Sequence, residues 1–310
     1  MLLGITLIAF FIMKAAPGDP VSMYMDPSIS RVDQQIIRQN LGLDQPLVVQ
    51  YVIWLKNIFK GQLGYSYVTG KPVFTMLIER LPATLLLSLS SLVLVLVITF
   101  PLGLISGYKK ESWLDDAVTF FSFLGMSIPT FWLGLMLILI FSFGLNWFPT
   151  SGFMDPLLYD APWYKQVGSI LHHMCLPLVT IMVGAIAGLT RYNRFGIIKI
   201  LGQDYITAAR ARGINEKTIL FKHAFKNTLL PIITILGLDL PSIISGSYII
   251  EYIFSWPGMG QLGVQAVFQR DYPILMATIL FSSVLLIIGT LISDLCYAIA
   301  DPRIAKKGQS

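Results

Sequence analysis

From Leu81 to Tyr108 the chain carries no charged side chain, and comparable apolar runs recur along its length. As a helix rising about 1.5 Å per residue, such a run is long enough to cross a hydrocarbon core of roughly 30 Å. Lipid offers no partner to backbone N–H and C=O groups, so a crossing segment must be a helix or part of a closed barrel. Continuous apolar runs, rather than alternation at period two, select helices. Composition agrees: 55% of residues are hydrophobic and 13% charged, with mean hydropathy +0.70, where a soluble domain holds about 25% charged residues. The sequence specifies an all-α integral membrane protein that crosses the bilayer several times.

Six spans are expected. The first is Met1 to Met13, about 20 Å of apolar helix before Lys14. No basic n-region or cleavage site marks it as a signal peptide. It reads as a spanning helix without part of its N-terminal half, and a longer reading frame is expected to supply the rest. The segment 14–80 is expected outside the cytoplasm. There, Pro17-Gly18-Asp19-Pro20 forces a break, Ser30 can cap a helix through Asn40, and Pro46 can open another to about Lys60. Val48, Tyr51, Val52, Leu55 and Phe59 give that helix an apolar stripe to rest on the membrane or the bundle.

The remainder, 81–310, holds five further spans. Pro82 is expected to open the second, which ends at Tyr108. The third runs from about Ala117 to Asn146 with an interruption at Pro129, and the fourth from His172 to Leu189. The fifth, Leu229 to Ile250, contains Asp239; the stretch Glu251 to Asp271, with Trp256-Pro257-Gly258, is expected to be non-helical. Tyr272 to Ala298 is the sixth. Loops 109–116 and 191–228 and the C-terminal tail hold 13 Lys and Arg, against two in loops 147–171 and 251–271. The positive-inside rule then puts the first set, and both termini, in the cytoplasm. The net charge of +5 follows from these clusters and is not a nucleic-acid signature. Cys175 and Cys296 fall near opposite faces on this topology and are expected to stay unpaired.

Chemistry within the chain is scarce. No GxxxxGK[ST] phosphate loop occurs; Lys217-Thr218 follows Asn215-Glu216. His172 and His173 are adjacent and diverge by about 100° on a helix, so they form no i, i+4 metal pair. No serine stands in a G-x-S-x-G setting. No catalytic residue, metal site or cofactor is expected in this chain. Charges inside the membrane are costly and usually have a role. Asp239 could face a conduit and attract a cationic group, or pair with another span or subunit. Asp294, nearer a membrane face, has the simpler structural reading.

The polar island 191–228 is different in kind. Within Gln203 to Gly213, Asp204 can cap a helix and Gly213 can close it in the left-handed conformation. Eight helical residues give about 12 Å, too short to cross a bilayer. Tyr205, Ala208, Ala209 and Arg212 are expected on one face, suited either to a groove in a partner protein or to an anionic lipid surface. Beyond Gly213, Asn215 can cap a further helix with Ile219, Leu220, Ala224 and Phe225 apolar, leading into the fifth span.

Ala208-Ala209-x-x-x-Gly213, before the penultimate span, looks like the EAA signature of ATP-binding-cassette (ABC) importer permeases. The likeness extends along nearly the whole chain: Ala16-Pro17-Gly18-Asp19-Pro20, Gly61-Gln62-Leu63-Gly64-x-Ser66, Arg80-Leu81-Pro82-Ala83-Thr84 and Ser127-Ile128-Pro129-x-Phe131-Trp132-Leu133-Gly134. Gln203-Asp204-Tyr205, Phe254-Ser255-Trp256-Pro257-Gly258 and Asp301-Pro302-Arg303 complete it. Together these resemble the first of two permease subunits in dipeptide, oligopeptide and nickel importers. Thr207 stands where the general signature has Glu, and Gly213 lies eighteen residues before Pro231. Both departures are similar to the peptide branch. Asp239 occupies a place where that branch suggests a neutral polar residue.

The resemblance implies a type I importer permease in a prokaryotic plasma membrane. Its partners would be a paralogous second permease, two cytoplasmic ATPases that handle ATP and magnesium, and an extracytoplasmic binding protein. It implies coupling to an ATPase through Asp204, Tyr205, Ala208, Ala209, Arg210, Arg212 and Gly213. Asp239, Glu251 and Trp256 are then candidates for the translocation path. The alternative from another class is a secondary transporter coupled to an ion gradient through Asp239 and Asp294.

Overall fold

A computed structural model describes residues 1–15, 42–228, 232, 235 and 247–300, with 293–300 described by backbone alone. Among the described residues the architecture is helical, and the one β contact is an isolated bridge between Tyr65 and Pro72. In chain order the first helices are α1 (Leu2–Ala15), α2 (Leu47–Phe59), α3 (Val73–Tyr108) and α4 (Trp113–Ser127). Next come α5 (Thr130–Leu137), prolonged by a π turn over Ile138–Gly144, and α6 (Trp163–Leu201). Then follow α7 (Asp204–Ala211), α8 (Glu216–Thr218, prolonged by a π turn Ile219–Phe225), α9 (Tyr248–Ile253), α10 (Met259–Gln269) and α11 (Tyr272–Ala300).

By length and composition, α3, α6 and α11 can cross a membrane. A fourth crossing is possible if α4 and α5 with its π turn, bent by 97°, form one broken span. The bend falls at Pro129, whose ring leaves Ile128 extended at ψ 122°. α1 and α2 are apolar but shorter, at 14 and 13 residues. Of the expected fifth span only Ile232, Ile235 and residues 247–250 are described, the last of these opening α9; Asp239 lies outside the described residues, as do the motifs 16–20 and 301–303 and the expected Ser30 helix.

Three expected boundaries are corrected. α3 starts at Val73 after Pro72, so Pro82 lies inside the helix rather than opening it. Neighbouring groups meet the carbonyls beside its two internal prolines: the Trp256 indole donates to Ala83 O and the Asn193 amide to Phe100 O. These bonds tie α3 to the 254–258 turn and to α6. α6 runs on past Leu189 to Leu201, so Arg191 and Arg194 ride a continuous helix and the polar island starts as its last turns. The stretch 251–271 is mostly helical; only the turn 254–258 and the break at 270–271 interrupt it.

α3 and α6 form the central pair. Gly103 and Gly107 on α3 let the backbones approach, since a Cβ at Gly103 would lie 2.6 Å from Asn193 Nδ2 and one at Gly107 2.8 Å from Ile197 Cβ. This small-xxx-small spacing suits helix pairs in lipid, where close van der Waals contact drives association. Beside it, Arg194 on α6 forms a two-pronged ion pair with the buried Asp115 on α4, at 2.5 and 2.7 Å, and Ser106 on α3 donates to the same carboxylate at 2.5 Å. One carboxylate thus ties three helices at the end of the bundle nearest α7. At the opposite end, Ser66 and the Tyr67 backbone donate to the buried Asp271, pinning the 64–72 hairpin beside α11. Burial there, with Asp271 alongside, pushes the Tyr67 phenol up to about 12. α2 docks on α1 through Tyr51, whose hydroxyl meets Thr6 at 3.0 Å and whose ring tilts on Phe10.

Candidate coupling site

The apolar residues among the charges of the island decide how α7 sits. Ile206 is 0% exposed, Ala209 8%, and both pack with Ile219 from the segment beyond Gly213, with Ile200 and Leu201 at the end of α6 behind them. Asp204, Tyr205, Ala208, Arg210 and Arg212 are all exposed, Tyr205 at 47%. Tyr205, Ala208 and Arg212, at i, i+3 and i+7, make one outward ridge. Ala209 is therefore a correction to the expected shared face: its small side chain lets α7 settle on Ile219 rather than on a partner. That seating also fixes Tyr205, Ala208 and Arg212 on the outer side.

The ends of α7 are set by backbone geometry. Gln203, extended at φ −82° and ψ 147°, is the N-cap and makes no side-chain cap bond; Asp204 is the first helical residue. The expected Asp204 cap is corrected accordingly, and its carboxylate instead lies in the first turn, where the helix dipole favours negative charge. Gly213 has φ +75°, and the N–H groups of Gly213 and Ile214 bond to Arg210 O and Ala209 O at 2.9 and 3.2 Å. This left-handed close is what glycine allows. Arg210 Nε donates to Glu216 Oε1 at 2.7 Å, and that bond raises the guanidinium further above its ordinary value. Both partners are about half exposed, so the pair contributes at most about 1 kcal/mol. Arg212 makes no ion pair among the described residues.

Past α7, Asn215 caps α8 as expected, its side chain accepting from Lys217 N at 2.9 Å. The following π turn returns to the main bundle. Ala224 is buried with Leu104 of α3 and Ile197 of α6, Phe225 meets Phe100 edge to face at 5.4 Å, and Thr228 abuts Gly196. α7 therefore rests on a segment that is itself wedged between α3 and α6. Ile206 and Ile219, aliphatic residues on either side of Gly213, are the sequence signal for this seat.

Glu251 and Trp256, expected as path candidates, present no surface. Both are 0% exposed. Glu251 Oε1 accepts from Thr84 at 2.9 Å and its Oε2 from the N–H groups of Gly260 and Gln261 at 2.7 and 3.1 Å. Thr84 Oγ1 also accepts from Met259 N at 2.8 Å. The carboxylate and hydroxyl thus cap the N-terminus of α10 and bind it to α3. Trp256 is locked by its bond to Ala83 O and by Phe153, 4.9 Å away centroid to centroid. Gly258 and Gly260 leave room for this cap: a Cβ at Gly260 would lie 2.7 Å from Tyr248 Cα. These two residues hold the Trp-Pro-Gly turn. His172 Nε2 meets Trp147 O and His173 Nδ1 meets Ser169 O, and no group of metal ligands forms among the described residues. Cys175 is a free, partly exposed thiol.

The short helix α7 thus sits on a segment that is wedged between the long helices α3 and α6. Residues 99–306 match the family described as "Binding-protein-dependent transport system inner membrane component", and residues 1–90 its N-terminal counterpart, "Binding-prot-dependent transport system membrane comp, N-term". The chain belongs to this family. It is 48% identical over 305 residues to the oligopeptide transport system permease protein AppB of Bacillus subtilis (strain 168), covering 98% of this chain and 95% of that protein. It is 36% identical over 304 residues to a putative peptide transport system permease protein of Brucella abortus (strain 2308), covering 98% and 95%. The di/tripeptide transport system permease protein DppB of Pseudomonas aeruginosa (strain UCBPP-PA14) is 35% identical over 317 residues, covering 97% and 94%. Among solved structures, a chain of the MetNI methionine ABC transporter shares the fold at TM-score 0.58 and 16% identity, over 74% of this chain and 97% of that one.

Proposed function

We propose that this chain is one of two permease subunits of an ATP-driven importer and forms, with a paralogous subunit, the pathway for peptide uptake. The observation that carries the reading is its 48% identity, over nearly the whole chain, to a protein named as an oligopeptide permease. Two cytoplasmic ATPases hydrolyse ATP with magnesium, and an extracytoplasmic binding protein delivers the substrate. This chain, which carries no phosphate loop, catalyses nothing itself.

In this reading six helices cross a prokaryotic plasma membrane, both termini are cytoplasmic and 14–80 lies outside. α7 docks into a cleft on one ATPase through Tyr205, Ala208 and Arg212, with Asp204 and Arg210 at its ends and Ala209 and Gly213 seating and closing it. When the ATPases close, α7 is pushed. Ile206 and Ala209 bear on Ile219, and Ala224 bears on Ile197 and Leu104, so the push reaches α6 and α3 and rocks the spans. Asp239 remains the candidate in the path.

Reconstitution of the whole complex into vesicles tests this. Uptake of a labelled oligopeptide is expected to need ATP and to vanish when the ATPases are omitted. Uptake that persists without them and follows an ion gradient would sink the proposal in favour of a secondary transporter. Competition by a nickel chelate or an oligosaccharide, but not by peptides, would overturn the substrate class alone.

A further inference from the structure

Between α4 and α6, at the end of the bundle nearest α7, lies a cavity of about 70 Å³ lined by Ser122, Phe123, Thr190, Arg191, Arg194 and Phe195, among others. Two of these residues have unfinished chemistry. The Thr190 hydroxyl is buried, with the residue 1% exposed, and has no hydrogen-bond partner. A buried hydroxyl left unpaired is unfavourable and calls for an explanation. Arg191 makes no ion pair among the described residues. Its guanidinium instead lies 4.7 Å from the Phe123 ring centroid and 5.8 Å from that of Phe195.

Arg194 is the contrast. It sits one turn nearer the helix end, its charge is taken up by Asp115, and Asp116 also acts on it. The cation left for a ligand is Arg191. A charged side chain at this depth needs either a route to water or a counter-ion. Two aromatic residues lining the cavity, Phe123 and Phe195, are about half exposed. A ligand that fits must combine a small anionic group with long apolar chains.

The geometry points to a site for an anionic phospholipid, its phosphate between Arg191 and the Thr190 hydroxyl and its acyl chains along Phe123 and Phe195. Arg191 supplies planar N–H donors to phosphate oxygens, and Thr190 supplies the O–H donor that otherwise has no acceptor. Basic clefts between membrane helices recognise such headgroups by the same chemistry. Because α6 continues directly toward α7, an occupied cleft would brace the helix that carries the seat. The inference needs only that α4 and α6 lie in the membrane and does not depend on the substrate proposed above.

The test is made on the full complex, co-expressed with its partner subunits and purified in detergent. Native mass spectrometry with phosphatidylglycerol, phosphatidylcholine and inorganic phosphate added separately reads the ligand. For the wild type, a phosphatidylglycerol adduct is expected to outlast the phosphatidylcholine adduct on stepwise activation. Equal persistence of the two lipids, or a phosphate adduct as persistent as the anionic lipid, overturns the proposal. Arg191→Ala is expected to lower retained phosphatidylglycerol at least fivefold; retention at the wild-type level overturns it. A disulfide from Phe123→Cys to a cysteine of the second permease, formed in high yield in native membranes, would mean that protein covers the cleft and would also overturn it.

Discussion

Ile206 and Arg212 lie on opposite sides of α7, one wholly buried on Ile219 and the other exposed, and their substitution separates folding from gripping. Ile206→Ala removes buried methyl groups where the seat cannot fully collapse, a loss of about 2–5 kcal/mol. Its expected signature is faster hydrogen exchange across 204–213, with a lower thermal midpoint for the subunit. Arg212→Glu leaves that packing untouched and reverses the charge on the outward ridge. Docking energy is expected to fall by more than about 1 kcal/mol, as at an interface hot spot. ATP hydrolysis by the partners should then continue while uptake drops. Wild-type uptake together with wild-type ATPase affinity in Arg212→Glu would remove this residue from the docking face.

At the scale of elements, the close pairing of α3 with α6 and the wedge behind α7 matter more than any one span. Gly107→Leu would drive a side chain into Ile197, whose Cβ already lies 2.8 Å from an ideal Cβ at that position. Overpacking of this kind costs about 1–3 kcal/mol. Since Ile197 also packs with Ala224, the damage is expected to reach the segment behind α7. The thermal midpoint in detergent should fall, and uptake should fall further than partner binding does. An unchanged midpoint would mean that the helices can part without strain. The fold at this level was only half legible in the sequence. Apolar length announced α3, α6 and α11, but not that α3 begins before Pro82 or that α6 runs past Leu189 into basic residues. A lone sequence shows where side chains become polar, and a helix ignores that change while its backbone bonds continue. Glu251 shows the same limit: spacing along the chain gave no sign that three donors, from Thr84, Gly260 and Gln261, meet its buried carboxylate.

For the whole molecule, the proposed orientation makes an experiment simple. Single cysteines at Lys109 and Lys165, with Cys175 and Cys296 replaced by alanine, are expected to react with a membrane-impermeant maleimide from opposite sides of sealed vesicles. Labelling of both from one side would overturn the arrangement drawn from the positive-inside rule. The sequence by itself determined that this chain lives in a membrane, that its helices are long, that α7 is short and ends at Gly213, and which family it resembles. Those properties follow from local quantities: apolar length, charge, and the φ that only glycine takes cheaply. Tertiary structure alone decided which face of α7 turns inward, that Asp115 joins Ser106 and Arg194, and that Glu251 and Trp256 hold a turn. Each of these depends on groups brought together from distant parts of the chain, such as Thr84 with Glu251, and spacing along the sequence carries no record of that meeting.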